Sequence, residues 1–234
     1  MGKWLGTAPL SNRGNYTHGA SLAVKYNNHS LGKAKLSQEN LNAIGGAYDL
    51  AVSMLASAID LTTDVFHGFD RSDGGPWGNT YKDHIEMYFG DNPDVSTVLV
   101  TLLTTKRGLQ SNSDQNRLYI YSGKGKGFSK NTAGYVAQYA PNAKGRPQVE
   151  SHTVGNPVAG IKTPRERGHI HIRLDDNENE MAQTIIHEAT HRFAGTGDFA
   201  YQHDGDKWTN LSSGERLNNA DSYAHFCSHV HRMR

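Results

Sequence analysis

The chain has 234 residues and only one cysteine, Cys227. A single cysteine excludes an intramolecular disulfide, and disulfides are the usual framework of small secreted domains. The count therefore predicts a protein that is made and folded in a reducing cytoplasm. Cys227 lies among apolar residues of a predicted terminal helix, a setting typical of an inert buried thiol rather than of a nucleophile.

Long hydrophobic runs are also missing. No stretch of about 18 apolar residues occurs, which predicts that no helix spans a membrane. Residues 1–10 lack the continuous apolar core of a signal peptide, so no such peptide is visible. Only 36% of the residues are hydrophobic, which indicates long polar surface loops. The chain is nevertheless long enough to bury a full core in one domain.

The formal net charge of +1 conceals two blocks of opposite sign. Residues 106–173 hold 12 Lys and Arg against 3 Asp and Glu, whereas residues 174–221 hold 3 against 10. An acidic rim in the second block would favour cationic substrate side chains, although segregated solvated surfaces explain the pattern equally well. The basic block lacks regularly interleaved aromatic residues, so nucleic-acid binding is not expected.

Hydrophobic periodicity predicts the organisation of the chain. Residues 1–36 show little periodicity and are interpreted as an irregular N-terminal arm, followed by one domain over 37–234. Apolar residues from Leu41 to Ile59 recur at spacings of three and four, which predicts a long amphipathic helix.

Shorter elements follow the long helix. A short helix is predicted to end at Gly90, and Pro93 is expected to open the next helix. Strands are predicted over 118–121 and 168–174, with a long loop at 122–167 between them. The expected class is therefore α+β, mainly helical with a small sheet.

The sequence His187-Glu188-Ala189-Thr190-His191 carries the clearest chemistry. Two histidines four residues apart lie on one face of a helix and can bind one metal ion, with Glu188 close enough to act on a water molecule. Asp198 offers a third ligand after the chain turns at Gly195. Three protein ligands and one open position are typical of a catalytic zinc site that holds one Zn²⁺ ion.

Two known patterns of zinc-site residues fit this spacing poorly. A metzincin needs glycine at 194 and histidine at 197, where this chain has Ala194 and Gly197. A thermolysin-like site needs a downstream glutamate, for which Glu215 is the only candidate. His203, beside Asp204, is a reserve ligand in place of Asp198.

The motif together with Gly195-Thr196-x-Asp198-x-x-Tyr201 resembles the aspzincins, a zinc endopeptidase family that includes the deuterolysins and peptidyl-Lys metalloendopeptidases. The stretch from Asn219 to Tyr223 and the segment Tyr88-Phe89-Gly90 also resemble the family. Gln202 departs from it, because glycine usually follows the tyrosine. The resemblance begins near residue 40 and does not include the first 35 or so residues.

This resemblance implies a zincin-like fold whose strand at 168–174 edges the active-site cleft, where substrate can add as a further strand. It implies that His187, His191 and Asp198 hold zinc, that Glu188 is the general base, and that Tyr201 donates to the oxyanion. An ordinary packed tyrosine is the alternative for Tyr201.

Asp221 has three possible roles at this stage. It corresponds to the acid that contacts substrate lysine in peptidyl-Lys relatives, and a partner of a ligand histidine or a helix cap are the alternatives. We therefore expect a zinc endopeptidase that acts on protein or peptide substrates and prefers Lys or Arg after the cut.

The missing disulfides and signal peptide, taken with the resemblance, favour a bacterial effector or toxin. Such a protein would be exported by a dedicated secretion system and neutralised by an immunity or inhibitor protein. Two alternatives stay open: a non-catalytic zinc-binding interaction module, and a metal hydrolase acting on cell-wall peptide cross-links.

Overall fold

A computed structural model describes residues 2–11, 16, 21–28, 36–72, 79–111, 118–122, 133–141, 147–150, 167–174 and 177–234. The strands are β1 (Gly2–Pro9), β2 (Ser21–Asn28), β3 (Leu118–Ser122), β4 (Gly134–Pro141), β5 (Pro147–Glu150) and β6 (Arg167–Arg173). The helices are α1 (Gln38–Phe66), α2 (Tyr81–Phe89), α3 (Val95–Gln110), α4 (Glu178–Ala189), α5 (Asp206–Thr209), α6 (Ser213–Leu217) and α7 (Ala220–Arg232). An α+β fold that is mainly helical is confirmed, and the zincin-like detail stays a prediction.

Helix α1 is the centre of the core. Ser37 caps it by accepting a hydrogen bond from the Asn40 N–H, and the apolar stripe predicted from Leu41 to Ile59 lies inside it. Its buried face packs against α3, α4, α7 and β1. The predicted helix is confirmed and extends further at both ends, because the stripe continues to the buried Leu61 and Thr62.

By length and composition α1 could also cross a membrane. Most of its apolar segment is buried inside the protein, which is the behaviour of a core helix. The absence of a membrane span therefore stays a prediction for this chain.

Helices α2 and α3 test the predicted boundaries. Helix α2 ends at Gly90 as expected, with φ of 82° at that glycine. Helix α3 begins after Asp94, whose carboxylate accepts hydrogen bonds from two backbone N–H groups of the first turn. The start predicted at Pro93 was wrong, because Asp94 caps the helix and Pro93 precedes the cap.

The six strands form one sheet in the order β1-β2-β3-β6-β4-β5. Strand β2 pairs in parallel with β3, and β3 pairs in parallel with β6, while the other neighbours are antiparallel. The register places His171 of β6 between Tyr119 of β3 and Tyr135 of β4. The tyrosine and histidine rings on β4 and β6 stack with centroids 4.3 Å apart.

The irregular arm predicted over residues 1–36 was wrong. Residues 2–9 and 21–28 are paired strands, and Ala8, Leu22 and Val24 are buried in the core. The prediction failed because the strands owe their order to cross-strand pairing and to burial against α1, which local periodicity does not reveal. The division at residue 36 is not otherwise tested.

The predicted edge strand and loop also need correction. The strand expected at 168–174 is present as β6, but it lies inside the sheet because β4 pairs with its outer side. Strands β4 and β5 fall within the segment predicted to be a loop over 122–167. The strand that borders the cleft is therefore β4 rather than β6.

The N-terminal hairpin docks onto α1 at two points. Pro9 crosses α1 over Gly45, where a Cβ atom would collide with the Pro9 carbonyl. Further along, Asp49 accepts hydrogen bonds of 2.6 Å from the Ser11 N–H and from the Tyr16 hydroxyl. The glycine in the middle of a long helix is explained by this close contact.

We expect Gly45→Ala to lower the free energy of unfolding by about 1–3 kcal/mol, because the added methyl group overpacks the contact with Pro9. Thermal or urea unfolding followed by circular dichroism measures the change. Gly214→Ala is the control, since no atom lies within 4 Å of the added carbon. Equal stability of the Gly45→Ala variant and the wild type would show that the hairpin does not pack closely on α1.

Candidate metal centre

Helix α4 and the turn that follows it carry the two histidines of the motif. Asn177 caps the helix by accepting from the Glu180 N–H at 2.9 Å, and Glu178 and Glu180 lie in the first turn. The stripe that includes Met181, Ile185 and Ala189 is buried, which fixes the rotation of the helix about its axis. His187 and Glu188 are buried as well, on the side of the helix that faces the cleft.

The chain leaves α4 through a π-helical turn, Thr190–Ala194, that carries His191. Gly195 ends this turn with φ of 84° and donates its N–H to the Thr190 carbonyl at 2.8 Å. Glycine adopts this left-handed backbone conformation more easily than any other residue. The predicted stop at Gly195 is confirmed, and π turns of this kind are frequent at functional sites.

The structure brings His187, His191 and Asp198 together as a possible metal-binding group. The two Nε2 atoms are 3.1 Å apart, and Asp198 Oδ1 lies 3.0 Å from His187 Nε2 and 3.1 Å from His191 Nε2. Ligand atoms that share one tetrahedral zinc at about 2.0–2.2 Å are separated by a similar distance. Two imidazole nitrogens and one carboxylate oxygen therefore fit zinc in chemistry and in spacing.

Asn219 holds the loop that delivers Asp198. Its side-chain oxygen accepts from the Phe199 N–H at 2.9 Å, and its amide donates to the Ala200 carbonyl at 2.9 Å. On the other side of Asp198, Gly197 exchanges backbone hydrogen bonds with residues 218 and 220. The start of α7 thus fixes the third ligand on both sides.

Each ligand histidine has a partner for its second ring nitrogen. His191 Nδ1 donates to the Thr196 carbonyl at 2.8 Å, so Nε2 is the nitrogen that faces the other two ligands. His187 Nδ1 lies 3.5 Å from Asp221 Oδ1. Such outer partners orient metal-binding imidazoles and raise their basicity.

Charge complementarity is strong within the centre. Burial alone would lower the pKa of His187, but the carboxylates of Asp198 and Asp221 outweigh it and hold that pKa well above its usual value. Burial likewise opposes ionisation of Asp198, yet the two imidazoles hold its pKa well below its usual range. Without a metal, the centre therefore retains a proton between imidazole and carboxylate.

Glu188 lies beside the two ligand histidines and its side chain is buried. Among the described residues, its Oε2 atom has no hydrogen-bond partner. Burial raises the pKa of Glu188 to about 7, although both histidines oppose the shift. Strand β4 passes so close that a Cβ atom on Gly134 would lie 2.9 Å from Glu188 Oε1. A carboxylate that titrates near neutrality suits a general base.

Tyr201 is held in a stack of three rings. Its ring lies parallel to that of His187 with centroids 5.7 Å apart, and His203 stacks on its other face at 5.4 Å. Burial and the neighbouring carboxylates, led by Asp198, raise the pKa of the Tyr201 phenol. The phenol therefore keeps its proton and remains a hydrogen-bond donor at neutral pH.

These groups open onto a cleft of about 550 Å³. Four of the described lining residues are acidic, namely Glu180, Glu188, Asp204 and Asp221, and none is Lys or Arg. The remaining lining residues are Ala133, Gly134, Gln183, Thr184, His187, Tyr201, His203, Ala224 and His225. The cleft is thus bordered by β4, α4, the loop after Tyr201, and α7, and it carries negative potential.

Asp221 lies in the wall of this cleft and is largely buried. Besides its contact with His187, its Oδ2 atom accepts from the Gln202 N–H at 2.6 Å and lies 3.5 Å from His225 Nε2. Asp221 makes no side-chain cap of α7. Of the roles considered for it, the geometry favours contact with the ligand histidine, and contact with substrate stays a prediction.

Two rival ligands lie elsewhere. Glu215 accepts hydrogen bonds from the N–H and hydroxyl of Ser212 in a capping box at the start of α6. His203 is largely exposed and belongs to the ring stack rather than to the ligand group. Asn219 is the residue whose role was missed, because an asparagine before a helix is ordinarily interpreted as a cap.

A buried group of three possible metal ligands lies beside a carboxylate and in front of an open cleft, which is an arrangement typical of hydrolytic metal centres. Residues 170–228, about a quarter of the chain, match the aspzincin family, described as lysine-specific metallo-endopeptidase. The matched segment runs from β6 to α7 and includes the whole ligand group, so this part of the chain is similar to the family that the motif resembles. Comparison with curated proteins gave no match.

We expect zinc affinity to fall as the pH is lowered through neutrality, because a metal must displace the proton that Asp198 and Asp221 hold on His187. The sign follows from the raised pKa, since His187 is still protonated at a pH where an ordinary histidine is neutral. Calorimetry in two buffers of different protonation enthalpy should detect protons released per zinc bound at pH 7. The exposed Asp206→Asn variant should release as many as the wild type, whereas pH-independent binding would contradict the assignment of His187.

Proposed function

We propose that the protein is a zinc-dependent endopeptidase that hydrolyses peptide bonds of protein substrates. The observation that carries this proposal is the triangle of His187, His191 and Asp198 with the buried carboxylate of Glu188 beside it. A structural zinc site has four protein ligands, whereas the described residues of this centre offer three and face a cleft. The match of residues 170–228 to the aspzincin family supports the same activity.

Zn²⁺ at this site would act as a Lewis acid on the scissile carbonyl and make a water molecule more acidic. Glu188 removes a proton from the attacking water and transfers it to the amine that leaves. Tyr201 remains protonated and donates to the oxygen that becomes negative as the water attacks.

The proposed preference for cationic substrate residues rests on the charge of the cleft. The acidic lining of the cleft would attract cationic side chains, and the family is described as lysine-specific. We propose that an extended peptide binds with Lys or Arg after the scissile bond and that Asp221 contributes to that preference.

We also propose a role as an exported bacterial effector or toxin that an immunity protein neutralises. This idea is supported by the single cysteine and by family analogy alone. Growth of bacterial cells that express the wild type or the Glu188→Gln variant tests it, and equal growth of both would count against a toxin.

We expect Glu188→Gln to bind zinc with the wild-type stoichiometry and to lose activity by roughly 10²-fold or more, because the general base is removed. A digest of mixed proteins, with cut sites identified by mass spectrometry, measures the activity. Asp198→Ala should instead lower the zinc affinity, by more than the roughly 10- to 100-fold typical of losing an outer partner of a ligand. Glu215→Gln serves as the matched control, since that carboxylate lies outside the cleft.

The same digest separates the alternatives. A zinc-loaded wild type that leaves every protein intact would contradict the peptidase, and would favour a non-catalytic binding module. Release of fragments from purified cell wall in place of protein cleavage would favour a hydrolase of peptide cross-links.

We expect the wild type to cut before Lys and Arg, and zinc-saturated Asp221→Asn to lose that preference, because the carboxylate that would face the cation becomes neutral. The frequency of each residue after the cut site, read from the digest, measures the effect. Asp206→Asn is the control. If Asp221→Asn keeps the preference and only binds zinc more weakly, Asp221 acts through His187 and does not contact substrate.

A further inference from the structure

Two buried threonines connect the ligand histidines. Thr190 is fully buried in the π turn, and Thr196 is buried just after Gly195. The two hydroxyl oxygens are 2.8 Å apart, and Thr190 Oγ1 is also 2.8 Å from the His187 carbonyl oxygen. Neither hydroxyl borders the cleft, so neither can contact substrate.

The direction of the hydrogen bonds follows from the chemistry of the groups. A carbonyl oxygen can only accept, so the Thr190 hydroxyl donates its one proton to the His187 carbonyl. Thr190 then has only lone pairs to offer, so the Thr196 hydroxyl donates to it. The two hydrogen bonds therefore run in one direction, from the Thr196 hydroxyl to the Thr190 hydroxyl and then to the backbone carbonyl of His187. We call this pair of hydrogen bonds the relay.

Thr196 also contacts the second ligand, His191. Its carbonyl accepts from His191 Nδ1 at 2.8 Å, and its hydroxyl oxygen lies 3.3 Å from the same nitrogen. The carbonyl contact places a proton on Nδ1, and the ring then turns Nε2 towards Asp198 and His187. A change in the position of Thr196 would therefore rotate the His191 ring or alter its tautomer.

Thr190 fixes Thr196 through its backbone as well. The Thr190 carbonyl accepts from the Gly195 N–H at 2.8 Å and lies 3.4 Å from the Thr196 nitrogen. The chain thus reverses around Thr190, with the carbonyl holding the turn and the hydroxyl holding the residue that orients His191.

We propose that Thr190 and Thr196 are positioning residues of the metal centre, which set the orientation and tautomer of His191 relative to His187. The inference rests on the proposed function only in that the centre binds zinc. It assigns the threonines no contact with substrate, water or metal.

The test is the zinc affinity of Thr190→Val and Thr190→Ser, measured by competition with a chromophoric chelator. Valine keeps the shape of threonine but removes the relay, and we expect about a tenfold or greater loss of affinity, as for other outer partners of zinc ligands. Serine keeps the hydroxyl and should restore wild-type affinity. Thr62→Val is the matched control, because Thr62 is equally buried and its hydroxyl donates to the Ala58 carbonyl, remote in sequence from the centre.

A spectroscopic measurement separates positioning from general stability. In the zinc-loaded wild type, ¹⁵N-resolved NMR should show a slowly exchanging proton on His191 Nδ1, and Thr190→Val should speed its exchange while Thr62→Val should not. Wild-type zinc affinity in Thr190→Val, or an equal loss in Thr62→Val, would overturn the inference. A wild type that binds zinc but cuts no substrate would overturn the proposed peptidase and leave this inference standing.

Discussion

One carboxylate oxygen, Oδ1 of Asp198, lies within 3.1 Å of both ligand imidazoles, and the surrounding structure serves to place it there. Burying a carboxylate is costly unless opposite charge compensates for it. In this protein the compensation comes from His187 on α4 and His191 on the π-helical turn, while Asn219 fixes the loop from the other side. The helix, the turn and the start of α7 must therefore be correctly packed before the three ligand atoms can converge.

Much of this centre could be predicted from sequence because its residues lie within twelve positions of one another. The i, i+4 spacing of His187 and His191 follows from helix geometry, and Gly195 marks the reversal that returns Asp198. The contributions of Asn219 and Thr190 could not be predicted in this way. Their hydrogen bonds depend on which backbone groups the tertiary fold leaves unpaired, and a threonine or asparagine has many local partners available.

In the fold as well, elements that depend on neighbouring residues could be predicted, and elements that depend on tertiary pairing could not. Helices α1 and α7 follow from apolar periodicity, and the end of α2 follows from Gly90. The N-terminal strands were missed because glycine, asparagine and lysine interrupt their apolar alternation. Strand β4 was missed and β6 was expected at an edge, because only the paired structure shows that β4 covers β6.

The parallel pairing of β2 with β3 has a consequence for the order in which the protein folds. Residues 21–28 must wait for residues 118–122, and β3 in turn waits for β6 at residues 167–173. Contacts between such distant segments form slowly, because a long intervening chain must first be closed into a loop. Strand β6 precedes the helix that carries His187, so neither the sheet nor the metal centre can be completed until these C-terminal segments have been synthesised.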